Sequence, residues 1–133
     1  MDFDISEEQV ALTESELGRR LPPVYRAAMM ANHGGTAITD EDQWEIHPIK
    51  DVSDRKRMSR SCNPIIAETK AAREWRAFPS DALAIGSNGL GDVMLLLPSR
   101  TEPATFSDQI FAYWHETGEV KPLADDFSTF EIE

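Results

Sequence analysis

Residues 86 to 98, GSNGLGDVMLLLP, constrain the fold of this chain more than any other stretch. Val93-Met94-Leu95-Leu96-Leu97 is a short, uninterrupted apolar run stopped by Pro98, which reads as a strand buried on both faces rather than as a helix. The glycines ahead of it raise the question of a phosphate site. In a dinucleotide fingerprint the glycines follow a strand and open a helix whose amides hold the pyrophosphate. Here they lead into a strand, and no Lys-Ser or Lys-Thr pair follows the last of them, so neither that fingerprint nor a P-loop is present. Gly86, Gly89 and Gly91 are therefore assigned to a hairpin turn.

Upstream the pattern is helical. Ser6-Glu7-Glu8-Gln9 forms a capping box with Ile5 and Val10 at the staple positions, predicting a helix that buries Val10 and Leu17 and ends at Gly18. Leu21-Pro22-Pro23 resets the chain, and Val24 to Ala31 continues as a second helix, closed by Asn32-His33-Gly34-Gly35. Met29 and Met30 on this helix are core fillers. Together these two helices make an αα-hairpin. Trp44-Glu45-Ile46-His47 alternates as a half-buried strand ending at Pro48. Residues 50 to 60 are polar without usable periodicity, a short helix or surface loop. Asn63-Pro64 caps a third helix expected to run to Arg76, closed by Phe78-Pro79. Beyond Asp81 the strand candidates are Ala82 to Ile85, Val93 to Leu97 and Gln109 to His115, joined so that neighbours pair antiparallel. Asp125 to Phe130, with a capping acid and two phenylalanines at i, i+3, is expected to form a short final helix.

At 133 residues, 41% of them hydrophobic, the chain is expected to form one domain over 1–133 and to need neither disulfide nor metal for its core. Cys62 is the single cysteine, which excludes an intramolecular disulfide and fits a reducing compartment. MDFDISEEQV carries acids where a signal peptide would carry cations, and no apolar run approaches membrane-spanning length, so the expectation is a cytoplasmic chain without a membrane partner.

Charge is unevenly spread within a net −11. Four cations oppose ten acids in residues 1 to 50, eight oppose six in 51 to 100, and one opposes eight in 101 to 133. An acidic domain repels nucleic acid and anionic membrane and attracts basic partners. If Asp2, Asp4, Glu7, Glu8 and Glu14 come near Glu116, Glu119, Asp125, Asp126, Glu131 and Glu133, they form one negative face able to mimic the phosphates that a basic nuclease binds. The partner-binding candidates on that face are Glu7, Glu8, Glu14, Glu116, Glu119, Asp125 and Asp126. The basic run Arg55-Lys56-Arg57 with Arg60 is too small a footprint for nucleic acid in such a chain and reads as an exposed rim.

In this order the elements resemble the SUKH superfamily, the group named for the Smi and Knr cell-wall assembly regulators. The resemblance is carried by Glu14-Ser15-Glu16-Leu17-Gly18 and Leu21-Pro22, by Tyr25 and Asn32-His33-Gly34-Gly35, and by Trp44 with Pro48. It continues through Ile85-Gly86, Gly89, Gly91-Asp92 and the strand after them, then Tyr113-Trp114-His115-Glu116, Gly118, Asp126-Phe127 and Phe130. His33 is an extra residue inside its turn, and Pro98 stands where many relatives place an acid. The resemblance implies a non-enzymatic α+β domain. Its parts would be an N-terminal helical hairpin, an antiparallel sheet, a further helix before the sheet's main strands and a short C-terminal helix. Bacterial members are commonly immunity proteins that bind and neutralise a toxin, often a nuclease; eukaryotic relatives act as regulatory interaction modules. The implied state is a monomer or weak dimer with a protein partner and no cofactor.

Chemistry-bearing residues fit less well. His115, Glu116 and Asp92 could be assembled into an acid/base site of a small hydrolase, but such a site needs a pocket and a nucleophile or water within reach. The preferred roles are packing or hydrogen bonding for His115 and acceptance of turn amides by Asp92. His33, His47, His115 and Cys62 match no close-pair metal spacing. Asp40-Glu41-Asp42 lacks the glycine and terminal glutamate of a calcium loop.

Overall fold

The structure, a computed structural model, describes residues 6–31, 35–39, 43–47, 49, 65–75 and 77–132. Helix α1 spans Glu7–Leu17, and the Ser6 hydroxyl accepts from the Gln9 amide at 3.5 Å, as its capping box requires. Gly18, at φ 73°, ends it in the left-handed conformation that a residue with a Cβ resists, and its amide donates to the Glu14 carbonyl. Helix α2, Pro23–Ala31, begins on a proline whose missing N–H costs nothing in a first turn. Val10, Tyr25 and Met29 point from this hairpin into the core; Leu17 is only half buried.

The remaining elements are β1 (Thr36–Ile38), β2 (Gln43–Ile46), α3 (Ile65–Ala72), β3 (Leu83–Ser87), β4 (Val93–Pro98), β5 (Phe106–Trp114), β6 (Glu119–Ala124), a 3-10 turn (Phe127–Thr129) and β7 (Glu131–Ile132). Among the described residues the strands make one antiparallel sheet in the order β6-β5-β4-β3-β2-β1-β7. The fold is α+β, with the helical hairpin first, as the sequence implies.

Strand β4 is covered on both faces. Met94 and Leu96 join Val10, Leu21, Tyr25, Met29, Trp44, Ile110 and Phe127 in one cluster. Val93 and Leu95 join Ala72, Phe78, Ala82, Ala84 and Tyr113 in the other. Alternate side chains of a strand point to opposite faces, so a run with no polar residue is the pattern this position requires.

Several details depart from the sequence expectations. Helix α3 stops at Ala72, short of Arg76. Glu74 donates to the Ala71 carbonyl and Trp75 to that of Ala72, tightening the chain into i→i+3 turns. That turn brings Trp75 and Phe78 together on Tyr113, at centroid distances of 6.0 and 5.2 Å. Gly86 is not in the hairpin turn but inside β3, next to a register shift. A Cβ there would meet the Glu45 carbonyl oxygen at 3.0 Å, so the glycine is what lets β2 approach β3. Gly89 and Gly91, at φ 79° and 101°, do form the turn. The C-terminal helix shrinks to the single 3-10 turn, capped by Asp126, whose carboxylate accepts from the Ser128 amide at 2.8 Å. Strands β1, β6 and β7 lie outside the strand candidates of the sequence. The expected Asn63-Pro64 cap, the 50–60 segment, His33, Gly34, Pro48, Asp40 to Asp42 and Cys62 lie outside the described residues.

Candidate functional site

The hairpin turns at one end of the sheet are joined by a single carboxylate. Asn88 Oδ1 accepts from the amides of Leu90 and Asp92 at 2.9 and 3.2 Å, which closes the glycine turn on itself. Asp92, buried at the start of β4, accepts from Asn88 Nδ2 at 2.9 Å and from the His115 amide at 3.1 Å. Its Oδ1 also lies 2.8 Å from His115 Nδ1. The carboxylate thus pins the 88–91 turn to the 115–118 turn after β5. Its partners are the Asn88 side chain and His115, not the amides of its own turn as expected from sequence. Gly91 is needed for a second reason: a Cβ there would meet His115 Nδ1 at 3.0 Å.

Burial alone would raise the Asp92 carboxyl. Hydrogen bonds from the Asn88 and His115 side chains and the His115 amide outweigh it and hold the group below the usual carboxylate range. An ionised carboxylate only accepts, so His115 Nδ1 carries the shared proton. His115 and Asp92, grouped from sequence only in the disfavoured acid/base site, do meet in space. A cavity of about 430 Å³ opens beside it, lined by Leu90, Asp92, Trp114, His115, Glu116, Thr117, Glu119 and Lys121. The hydroxyl lining it, on Thr117, accepts from the Glu119 amide at 3.2 Å, a turn-closing role rather than that of a nucleophile held by the imidazole.

The seven acidic candidates separate into different settings. Glu116 and Glu119 line this cavity, with Glu119 3.6 Å from Lys121, a pair more than half exposed on both sides and correspondingly weak. Asp125 lies at the far end of the β5–β6 hairpin, roughly 17–20 Å away at ~3.3 Å per strand residue. There it lines a groove with Glu102 and Asp108, two acids not singled out from sequence. Asp126 is occupied as a cap. Glu14 is absorbed internally: its side chain is 13% exposed, accepts from the Leu21 amide at 2.8 Å and sits 3.4 Å from Arg26 Nε. Glu7 reaches the same Arg26 at 3.6 Å, and Glu8 is exposed on α1. Asp2, Asp4 and Glu133 lie outside the described residues.

The motif residues read from sequence hold the scaffold. Leu21, Pro22, Tyr25, Trp44 and Phe127 are buried, with Phe127 edge-on to Tyr25 at 5.3 Å. Trp114 is half buried and edge-on to Trp44 at 6.2 Å. Burial pushes the Tyr25 phenol far above its ordinary value, so it stays neutral. Gly35 adopts φ 90° before β1, and its carbonyl accepts from the Ile46 amide. Arg20 donates to the Ala104 carbonyl at 2.8 Å and accepts from the Phe106 amide at 2.9 Å, tying the hairpin loop to the start of β5.

The SMI1 / KNR4 family (SUKH-1) model matches residues 4–133. The chain belongs to the SUKH-1 family. Comparison with curated proteins and with solved structures returns no match. In this SUKH-1 chain the ordered short motifs correspond to caps, turn glycines and core aromatics. Among the described residues no three His, Cys, Asp or Glu side chains gather as a metal-binding group, and no helix is long and apolar enough to cross a membrane.

His47 is expected to make the stability of this SUKH-1 chain depend on pH. It is buried beyond β2, and burial lowers its pKa while Glu68 and Glu45 oppose that shift. The unfolded chain therefore binds this proton more readily, so the contribution is complete above the ordinary value near ~6.5 and is lost as pH falls toward the folded value. Denaturant midpoints should fall more between about pH 7 and about pH 5.5 in the wild type than in His47→Gln. Equal slopes would show that His47 does not titrate differently in the two states.

Proposed function

We propose that this chain is a non-enzymatic protein-binding domain, an immunity protein acting in the cytoplasm that binds and neutralises a toxin, with a basic nuclease as the fitting target. The observation that carries the reading is the SUKH-1 match over residues 4–133. The net charge of −11 supports a basic partner, since complementary charge accelerates encounter and suppresses wrong partners. The His115–Asp92 pair is assigned a structural role because the Asp92 oxygens are taken up by the two turns.

Affinity capture from the native cells with the immobilised domain, repeated over a salt series, tests the reading. The expected result is one stoichiometric secreted toxin, retained at low salt and released as ionic strength shortens the screening length below about 8 Å. An endogenous regulator as the only stoichiometric partner would replace toxin neutralisation by a regulatory module. Reproducible hydrolase turnover that His115→Ala abolishes would replace the binding reading altogether.

A further inference from the structure

Among the described residues three large apolar side chains stay exposed, Leu12, Trp75 and Leu90. Trp75 is accounted for by its stacking on Tyr113 and its edge contact with Phe78. Leu12 stands on an open helix face with Glu8 and Glu16 one turn to either side. Leu90 differs from both. It is 68% exposed, lines a cavity, and sits on a turn locked by two hydrogen bonds between Asn88 and Asp92, one from the Leu90 amide to Asn88 and one from the His115 amide to Asp92.

Resting on the protein-binding reading above, we infer that the cavity between the 88–91 and 115–118 turns is the contact site for an arginine-bearing segment of a protein partner. An apolar neighbour of that arginine covers Leu90. The chemistry of the walls selects this occupant. Glu116 and Glu119 offer carboxylates, and among the described residues the only lysine or arginine lining the cavity, Lys121, is held by one exposed and easily displaced pair. With Nδ1 committed to Asp92, a neutral His115 ring has only Nε2 left, as an acceptor, and the side chain is 42% exposed. Trp114 adds half-buried aromatic surface. A planar guanidinium stacks on an aromatic ring while its fork of N–H groups meets carboxylates, which a lysine ammonium does not do. Because the turns are already braced, ordering them on binding costs little. The groove at the far end of the hairpin is acidic too, but Asp108 there lies 3.4 Å from the Val24 amide, and none of the three exposed apolar residues lines it. A second copy of the chain is disfavoured by the self-repulsion of net −11.

The test is an amide-shift titration of the isotope-labelled full chain with acetyl-Trp-Arg-Leu-Arg-amide, and with the same peptide carrying citrulline at both arginines. Saturable shifts should centre on Leu90, His115 and Thr117. The citrulline peptide, and the Glu116→Gln/Glu119→Gln variant with the arginine peptide, should bind at least about tenfold more weakly. Both glutamates are exposed, and an unchanged spectrum elsewhere reports that the variant is folded. Shifts centred on Glu102 and Asp108, equal binding of the citrulline peptide, or no saturation up to about 10 mM would overturn the assignment. So would concentration-dependent shifts at Leu90 without peptide, which would place a second copy there. A toxin captured equally by wild type and the glutamine variant would remove this site and leave the binding reading intact. Peptide binding here with no captured toxin would keep this site and the protein-binding reading and remove toxin neutralisation.

Discussion

Leu95→Ala should lower the free energy of unfolding by about 2–5 kcal/mol, the range for deleting a fully buried leucine side chain. Leu95 has no exposed surface and is paired between Ala84 on β3 and Phe111 on β5, in the interior of the sheet. Its side chain lies in the smaller of the two clusters, with Ala72, Ala82, Ala84, Phe78, Val93 and Tyr113. Three of those neighbours are alanines with no side chain to spare for the cavity, and the aromatic pair is held by ring contacts with Trp75. The site therefore collapses poorly, which favours the upper half of the range. Urea denaturation followed by tryptophan fluorescence measures the change directly. The expected signature is a lower midpoint at an unchanged slope, since the mutation alters stability and not the surface exposed on unfolding. A midpoint indistinguishable from wild type would mean that the second face of β4 is not a packed core.

Asp92→Ala is expected to cost about 1.5–3 kcal/mol, because hydrogen bonds to an ionised carboxylate are worth more than neutral ones, while the part-exposed donors left behind can turn to water. The Asn88 side chain, the His115 amide and His115 Nδ1 all lose their acceptor. The sign of the pH effect follows from the depressed carboxyl. Stability from Asp92 is present above the unfolded value near ~3.9 and disappears as pH falls through the folded value, so the difference between wild type and Asp92→Ala should narrow in acid. A gap of constant size down to about pH 2 would assign the loss to packing instead of charge. The amides of Leu90 and Thr117 should also broaden or shift together in the variant, since the two turns are no longer tied. If they remain as sharp as in wild type, the turns are braced by something other than Asp92.

Where the sequence was legible, the reason was local. Ser6 and Gly18 mark the ends of α1 because capping is decided within a turn of the residue concerned. Val93 to Leu97 is a strand because five apolar residues in succession leave no solvent face. What escaped was set by neighbours distant along the chain. Gly86 looks like its companions Gly89 and Gly91, yet its role comes from the Glu45 carbonyl that a Cβ would strike. Strand β6, with Pro122, Lys121 and Glu119, has the composition of a loop and becomes a strand because an edge position leaves one side of its backbone free. From sequence His115 and Asp92 meet only in the disfavoured acid/base site with Glu116, and Asp92 is assigned to its own turn; their joining as a latch between two turns depends on the β4–β5 register, Val93 opposite Tyr113.

The sequence by itself determined the caps, the turn glycines, the doubly buried strand and the ordered motifs of a SUKH-1 chain, because each is a short-range requirement of backbone geometry or burial. Only the tertiary structure decided which charges are free to meet a partner. Glu14 is drawn into the contact between α1 and α2, Asp126 into a cap, and Glu116 and Glu119 are left at an open cavity beside Leu90. A carboxylate's availability depends on the donors that folding brings to it from elsewhere in the chain, and no pattern of neighbouring residues encodes that.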